Sequence, residues 1–330
     1  MPGEEPLVSV IVVNFNGKRF LETCFDSLAR QTYRSFETIL VDNASGDGSV
    51  EYVRERFPWV RVIDSGSNLG FAAANNLGIE ASAGSLIATL NNDTAVSPGW
   101  LGALAGAMMS EDSVGMCASK MVFMKDPEVI NSTGICVSRS GACWDRGMFE
   151  RDSGQYDAAG EVFGPCAGAA LYRRRALDEA GLFDERFFAY MEDVDLAFRC
   201  RRRGWKCLYV PGALVRHYHG GTAGYMSDLS VYYGNRNIVW NFVKNFPAGL
   251  LLRSLPWAVG RNLAVIPYYA LKGHGRAALR SKLDALKGLP AMLAGRSGGD
   301  GDVYRFVARW AGVPADVEYS KPAGRGVTDF

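Results

Sequence analysis

Leu7-Val8-Ser9-Val10-Ile11-Val12-Val13-Asn14-Phe15-Asn16 is the stretch of sequence that decides the fold. Its continuous run of mostly β-branched residues predicts a strand over 7–13 that is buried on both faces. A turn at 14–17 follows, and the next apolar residues recur at helical spacing. The apolar face of this helix is formed by Phe20, Leu21, Cys24, Phe25 and Leu28. The chain therefore begins with a strand and a helix packed against it.

The same alternation continues to residue 90. Further strands are predicted at Phe36–Val41, Val60–Ile63 and Leu86–Leu90, with helices at Ser49–Phe57 and Phe71–Ala81 between them. Short connections between alternating strands and helices indicate βαβ units and a largely parallel sheet. We therefore predict an α/β fold, with a central, mostly parallel mixed sheet flanked by helices.

Beyond residue 95 the alternation is less regular, and a Gly- and Ser-rich region over 132–154 predicts hairpins and loops. The remaining predicted helices are Trp100–Met109, Arg173–Ala180, Asp193–Arg203 and Ser227–Phe246. The remaining predicted strands are Val114–Cys117, Lys206–Val210 and Ala213–His217.

Composition excludes several classes of protein. With 330 residues, of which 48% are hydrophobic, the chain can bury a sizeable core and is not a disordered protein. The net charge of +1 gives no basis for nucleic-acid binding. Seven cysteines, none in a Cys-x-x-Cys pair, predict buried thiols in a reducing compartment.

Charge is unevenly distributed along the chain. From Lys244 onward there are 13 basic and 6 acidic residues, a net charge of +7, so residues 1–243 carry −6. The apolar run Leu250–Leu271 is interrupted by two prolines and two arginines, which argues against a membrane span. Two interpretations remain: an interfacial element that docks on anionic lipid, which we favour slightly, or a helical subdomain that packs on the core. The short apolar run at the start follows Glu4 and Glu5, unlike a secretory signal, so we expect a cytoplasmic protein.

Polar residues follow three predicted strands, at 14–16, 42–45 and 91–93. Ligands of open α/β sheets bind outside these carboxyl ends. The turn after Asp42 lacks the third glycine of a dinucleotide fingerprint, so it is either a helix cap or a contact to a ribose or base. Asp93 is either a turn residue or a ligand of a hard divalent cation.

Three carboxylates, Glu192, Asp193 and Asp195, begin a predicted helix. They either cap the helix or include a general base held beside aromatic side chains. His217 and His219 end a predicted strand, where they are placed to line a cleft. A solvated helix face accounts most simply for most of the basic residues that follow: Arg199, Arg201, Arg202, Arg203 and Lys206.

Taken in order, these segments resemble the family-two glycosyltransferases, especially their bacterial rhamnosyltransferase-like branch. The resemblance covers about residues 7–237. The matching segments are Val8–Asn16, Val41–Ser45, Asn68–Gly78, Leu90–Asp93, Cys166–Ala169, Gly181–Glu185, Glu192–Leu196 and His217. The resemblance implies a GT-A fold, which we assign to residues 1–246. The charge and hydropathy of the tail predict a basic, apolar helical C-terminal extension over residues 247–330. The resemblance also implies transfer of a sugar with inversion of the anomeric centre.

Residue roles follow from the same resemblance. Asp193 matches the catalytic base, and Asp93 and His217 match metal ligands. The family's D-x-D motif reads Asn91-Asn92-Asp93 here, so its first acid is missing. Donor-binding positions are Asn14, Asp42, Asn43, Asn68, Gly70, Asn75 and Asn92. Positions that line the active site or contact the acceptor are Gly168, Glu192 and His219, with loops over 132–164 and 221–225.

The resemblance implies Mg²⁺ or Mn²⁺ as cofactor, a nucleotide-sugar donor and a glycan or lipid-linked acceptor. The first donor expected is dTDP-rhamnose, and UDP-hexoses are the alternative. We expect the enzyme in the cytoplasm, with association at the inner face of the plasma membrane as a further hypothesis. A sugar nucleotidyltransferase is a weaker alternative because its early Gly-rich phosphate loop is lacking. A non-catalytic sugar-binding module is weaker because it needs no combination of Asp93, Asp193 and His217.

Overall fold

The computed structural model describes residues 5–220, 226–296 and 301–308. The α-helices are α1 (Lys18–Ala29), α2 (Ser49–Arg56), α3 (Gly70–Glu80), α4 (Trp100–Met109), α5 (Arg174–Ala180), α6 (Glu192–Arg202), α7 (Asp228–Asn245), α8 (Ala248–Leu271) and α9 (Gly275–Ala294). The strands are β1 (Val8–Asn14), β2 (Phe36–Asp42), β3 (Arg61–Asp64), β4 (Leu86–Asn91), β5 (Thr94–Val96), β6 (Val114–Phe123), β7 (Ile130–Ser132), β8 (Ile135–Ser138), β9 (Cys143–Asp145), β10 (Gly160–Glu161), β11 (Ala169–Arg173), β12 (Lys206–His217) and β13 (Val307–Ala308).

Most of the strands form one mixed sheet with the order β10-β12-β6-β11-β4-β1-β2-β3. The strands β4, β1, β2 and β3 are parallel neighbours, whereas β11 runs antiparallel to both β4 and β6. Strand β5 pairs with β12 and β7 pairs with β6, while β8, β9 and β13 form a separate small sheet. The predicted α/β architecture is confirmed.

The sheet has a hydrophobic core on each face. Val10 and Val12 of β1 pack in one core with α1 and α4, while Ile11 packs in the other with α3 and α6. All three side chains are fully buried, as expected for a strand covered on both sides. The parallel register places Asn14 beside Asp42 and Val13 beside Asn91, so the polar strand ends meet at one edge.

The structure corrects several details of the sequence interpretation. Strand β6 extends to Phe123, and the two strands predicted over 206–217 are one strand, β12, with an irregularity between Val210 and Leu214. The solvated-face interpretation is wrong for Arg199 and Arg201, which are both buried. The guanidinium of Arg199 pairs with a carboxylate of α6, and that of Arg201 donates to a loop carbonyl and pairs with a carboxylate of β10.

The C-terminal part of the described chain is helical. Helix α8 is continuous over 24 residues, although it contains Pro256 and Pro267. Helix α9 packs on α7, where the indole of Trp240 donates a hydrogen bond to the carbonyl of Ala285 at 3.1 Å. In the described ranges, we find no helix that combines the length and the apolar character needed to cross a bilayer.

Candidate active site

The carboxyl ends of β1 and β2 are joined by a buried polar network. The amide of Asn14 donates to Asp42 Oδ1 at 2.8 Å and accepts from Asn92 Nδ2 at 2.7 Å. The other carboxylate oxygen of Asp42 accepts from the backbone N–H of Ser45 at 2.8 Å. Asp42 is only 1% exposed, and its carboxylate fixes the shape of the turn through these hydrogen bonds. Three of the predicted donor-binding residues are thus brought together at one edge.

The segment 68–76 docks on the loop that leads to α6. Asn43 donates to the carbonyl of Gly70 at 3.0 Å, and Asn68 accepts from the N–H of Gly70. A side chain at Gly70 would lie 2.5 Å from the carbonyl oxygen of Phe188, and φ is +81° there, so only glycine fits. Asn75 lies inside α3, 1% exposed, and donates to a carbonyl four residues earlier. The segment therefore contacts both the turn after β2 and the loop before α6.

The three carboxylates at the start of α6 have different environments. Asp193 accepts from the backbone N–H of Ala167 at 3.1 Å and of Val194 at 2.8 Å, yet burial raises its pKa. Burial, and then the charge of Asp193, raise the pKa of Glu192, which is 4% exposed. Burial alone would also raise the pKa of Asp195, but nearby cations outweigh it and lower the pKa. One helix turn thus holds a structural anion and two candidate proton carriers.

The approach to α6 is a strained segment that α7 holds in place. Phe188, Tyr190 and Met191 all have left-handed φ values of 66–68°, which are costly for residues with side chains. The amide of Asn237 donates to three carbonyls of this segment at 2.7–3.0 Å, and Asn241 donates to that of Met191. Sequence reasoning missed these residues. Asparagines repeated at i, i+4 and i+8 on a buried helix face (237, 241 and 245) were the available signal.

Asp93 and His217 form a close pair at the edge of the sheet. Asp93 Oδ1 lies 3.1 Å from His217 Nε2, and both residues are buried. On its other side, His217 Nδ1 lies 2.8 Å from Asn131 Oδ1, and the Asn131 amide reaches His219 Nδ1 at 3.2 Å. Burial, and then the charge of His217, lower the pKa of His219 to about 4. The asparagine therefore lies between both rings and orients them, with Nε2 of His217 facing Asp93.

A short turn links this pair to Asp193. The N–H of Ala167 binds Asp193, while the carbonyl of the next residue, Gly168, accepts from the N–H of Asn91 at 2.8 Å. The Asn91 amide in turn lies 3.2 Å from His217 Nε2. The predicted base and the predicted metal ligands are therefore connected through three hydrogen bonds.

Asp145 is a second acid near this turn that sequence reasoning missed. Its pKa is raised to about 6, chiefly by burial; the hydroxyl of Ser132 acts in the opposite direction, and the charge of Asp193 contributes to the rise. Its Oδ1 is buried without a hydrogen-bond partner. Asp145 ends β9 in the Gly-rich hairpin region, and no spacing in that region indicated a functional carboxylate.

The Asp93–His217 pair fits two ligands of a divalent cation. Adjacent ligands of octahedral Mg²⁺ at about 2.1 Å lie about 3.0 Å apart, close to the observed separation of 3.1 Å. Within the described ranges, no group of three or more His, Cys, Asp or Glu side chains is arranged to hold a metal ion. A bound ion would therefore take its other ligands from phosphate and water.

A cavity of about 290 Å³ opens beside this pair. Its lining includes Asp93, Arg19, Lys125 and Tyr218. Two cationic side chains and a carboxylate around one cavity suit a ligand that carries phosphate groups and binds with a metal ion.

Comparisons with known proteins identify the family of the chain. The family model described as glycosyl transferase family 2 matches residues 9–181. The N-acetylglucosaminyl-diphospho-decaprenol L-rhamnosyltransferase of Mycobacterium tuberculosis is 28% identical over 312 residues, which cover 86% of this chain and 98% of that protein. The O-antigen biosynthesis protein RfbC of Myxococcus xanthus is 27% identical over 66% of this chain and 18% of its own length.

Solved structures share the fold. A mannosyltransferase from Pyrobaculum calidifontis, solved with GDP-Man and Mn²⁺, superposes with a TM-score of 0.55 at 19% identity, covering 89% of this chain and 86% of its own. GalNAc-T7, solved with UDP, GalNAc and Mn²⁺, gives 0.58 at 18% identity over 72% of this chain, which spans 47% of that protein. The predicted GT-A fold is confirmed. The chain belongs to glycosyl transferase family 2, as a rhamnosyltransferase-like member.

Proposed function

We propose that this glycosyltransferase moves a sugar, with inversion, from a nucleotide-diphospho-sugar to a hydroxyl group of a lipid-linked or other glycan acceptor. The observation that carries this proposal is the placement of Asp193, a buried carboxylate with a raised pKa, three hydrogen bonds from the Asp93–His217 pair. A base on one side and a cation-binding pair on the other are the two elements that a single displacement requires.

Asp193 acts as the general base in this proposal. Its raised pKa brings a carboxylate closer to the pH at which the reaction runs, and the N–H groups of Ala167 and Val194 fix its direction. The carboxylate takes the proton of the acceptor hydroxyl as its oxygen attacks the anomeric carbon. The bond to the nucleoside diphosphate breaks on the opposite face, so no covalent intermediate forms and the configuration inverts.

Asp93 and His217 would hold the divalent cation, Mg²⁺ or Mn²⁺, beside the diphosphate. When bound, such a cation neutralises the negative charge that gathers on the leaving group. Arg19 and Lys125, in the cavity that Asp93 lines, add positive charge on the same side.

The nucleoside would lie at the edge formed by Asn14, Asp42, Asn43 and Asn92, with residues 68–75 shaping the pocket. Asn43 and Gly70 are held together by a hydrogen bond, which fixes the width of that pocket. The L-rhamnosyltransferase relative supports dTDP-rhamnose as the donor, and UDP-hexoses are the alternative. The same relative's name includes a diphospho-decaprenol acceptor, which supports a lipid-linked acceptor here.

Helices α8 and α9 would carry the enzyme to a membrane surface. Leu252, Leu263 and Leu271 of α8 are 63–91% exposed, so the outer face of this helix is apolar. Arg253, Arg276 and the other exposed basic side chains near these residues complement anionic lipid. We propose a catalytic domain over residues 1–246 and this element within 247–330, at the inner face of the plasma membrane in a role in cell-wall or polysaccharide synthesis. The seven free cysteines are consistent with a reducing compartment.

A donor panel tests the proposal. The full chain is incubated with UDP-, GDP- and dTDP-sugars, each with Mg²⁺, Mn²⁺ or EDTA, and its thermal midpoint and slow donor hydrolysis are measured. We expect protection and hydrolysis with dTDP-rhamnose in the presence of metal. Protection by a UDP-hexose alone would contradict the donor assignment, and protection that EDTA does not change would contradict the metal.

A further inference from the structure

Two half-buried cations, Arg261 on α8 and Lys282 on α9, have no carboxylate partner among the described residues. Lys282 Nζ donates to Asn262 Oδ1 at 2.7 Å and to the carbonyl of Asn235 at 2.9 Å, both uncharged groups. Arg261 lies next to Asn262 on α8, and its Nη1 is buried without any hydrogen-bond partner. Among the residues that the structure describes, neither cation forms an ion pair.

Burial of these charges is unfavourable in the absence of an anion. Burial, and then the charge of Arg261, lower the pKa of Lys282 to about 7, and burial also lowers the pKa of Arg261. Lys244 on α7 provides the contrast, because its buried ammonium group lies 2.6–2.7 Å from two carboxylates. Proteins pair buried charges in this way, so an unpaired cation pair indicates a bound anion.

The surface around this pair is apolar. On α9, Leu279, Leu283, Leu286 and Leu293 recur on one face and are 48–60% exposed. The outer face of α8 is apolar as well, while Arg261 and Asn262 are turned towards the protein. Helix α8 thus has apolar side chains facing outwards and polar side chains facing the protein, whereas an ordinary surface helix has the opposite arrangement. A ligand that fits both features carries an anionic group on an apolar chain.

An electrostatic connection links Arg261 to the active site. The charges of Arg261 and of Asp193 both reach the thiol of Cys143 on β9. Cys143 begins the strand that ends at Asp145, the second buried acid. The charges of Arg261 and of the proposed base therefore both act on the same short strand.

We propose that Arg261 and Lys282 bind the phosphate groups of a lipid-linked acceptor, whose apolar chain lies along the exposed faces of α8 and α9. This inference rests on the proposed function, because it assigns the anionic part of the acceptor to a site separate from the donor's metal. The guanidinium Nη1 supplies an unused donor, and Lys282 supplies a second charge beside it.

Binding of farnesyl diphosphate to the full chain tests this assignment, with farnesol and inorganic pyrophosphate as probes that lack one of its two features. The variants are Arg261→Gln and Lys282→Gln, and the matched control is Arg54→Gln, an exposed arginine on α2. We expect each of the two variants to weaken farnesyl diphosphate binding about 10-fold or more, from the usual worth of a charged hydrogen bond. Farnesol binding and the control variant should be unchanged.

Two further measurements distinguish an acceptor site from a structural cation pair and from a phospholipid site. The thermal midpoint of Arg261→Gln should equal or exceed that of the wild type, since a buried unpaired charge is removed. Equal farnesyl diphosphate affinity in wild type and both variants would overturn the proposal. An equal loss of binding to phosphatidylglycerol vesicles would also overturn it, in favour of a phospholipid headgroup. The rise in thermal midpoint with dTDP-rhamnose is measured on the same preparations. A loss of donor binding would count against the proposed function and is distinguished in this way from a loss of acceptor binding.

Discussion

Asp145→Asn should stabilise the folded protein at neutral pH, by an amount that follows from the raised pKa of Asp145. The substitution keeps the size of the side chain but removes its charge. The pKa of Asp145 is about 6, raised first by burial, compared with 3.8 for an ordinary aspartate. Each unit corresponds to about 1.4 kcal/mol, so the raised pKa costs the folded state at most about 3 kcal/mol at neutral pH. Because part of the side chain stays exposed, we expect about 2 kcal/mol.

The sign of this effect depends on pH. A carboxyl group whose pKa is raised on folding binds its proton more tightly in the folded state. The contribution of Asp145 to the free energy of unfolding therefore falls as pH rises from about 4 to about 6, and then stays level. Asp145→Asn lacks this loss, so its advantage should be near zero at pH 4 and about 2 kcal/mol at pH 7.5.

Urea unfolding of both proteins at pH 4 and pH 7.5 measures the difference. A second readout is the pH dependence of kcat/KM, whose acidic limb should move to lower pH in Asp145→Asn because a negative charge near Asp193 is removed. Equal free energies of unfolding at pH 7.5, or a larger advantage at pH 4, would refute the reasoning.

Three further substitutions test other parts of the site. Lys244→Met removes the cation that two carboxylates share, leaving each with one arginine partner, and should cost about 2–3 kcal/mol in urea unfolding. Lys287→Met, at an exposed pair, should cost less than about 1 kcal/mol; equal costs would contradict the buried network. Asn237→Ala removes the hydrogen bonds of its amide to three backbone carbonyls and should lower stability by about 1–3 kcal/mol and kcat about 10-fold; an unchanged kcat would show that the strained segment needs no such support. Asp93→Ala should raise the Mn²⁺ concentration that half-saturates donor protection about 10-fold or more, and a wild type that needs no metal would contradict this role.

The order of strands and helices could be predicted from sequence because it depends on local periodicity. The run over 7–13 is apolar apart from Ser9 because its strand is covered on both faces, and the polar residues after it mark the edge where the site forms. Asn14, Asp42 and Asn92 do meet there, since the parallel register aligns the strand ends.

Contacts between distant segments could not be predicted in this way. Asn131 fixes His217 across 86 positions of sequence, and Asn237 holds a loop about 50 positions away. The charged side chain of Arg201 can be buried because it donates hydrogen bonds to a carbonyl and a carboxylate that lie 38–40 positions earlier in the sequence. Composition and periodicity contain no information about such partners, so charged residues on α6 were assigned to a solvated face.

Rhamnose transfer by Asp193→Asn is the most direct test of the central claim. Wild type and variant are compared with dTDP-rhamnose, Mn²⁺ and a lipid-linked N-acetylglucosaminyl diphosphate, and donor binding is measured in parallel by thermal shift. We predict that transfer falls about 100-fold or more, the usual contribution of a general base, while the donor still protects the variant. Transfer at the wild-type rate would contradict the assignment of Asp193 as the base.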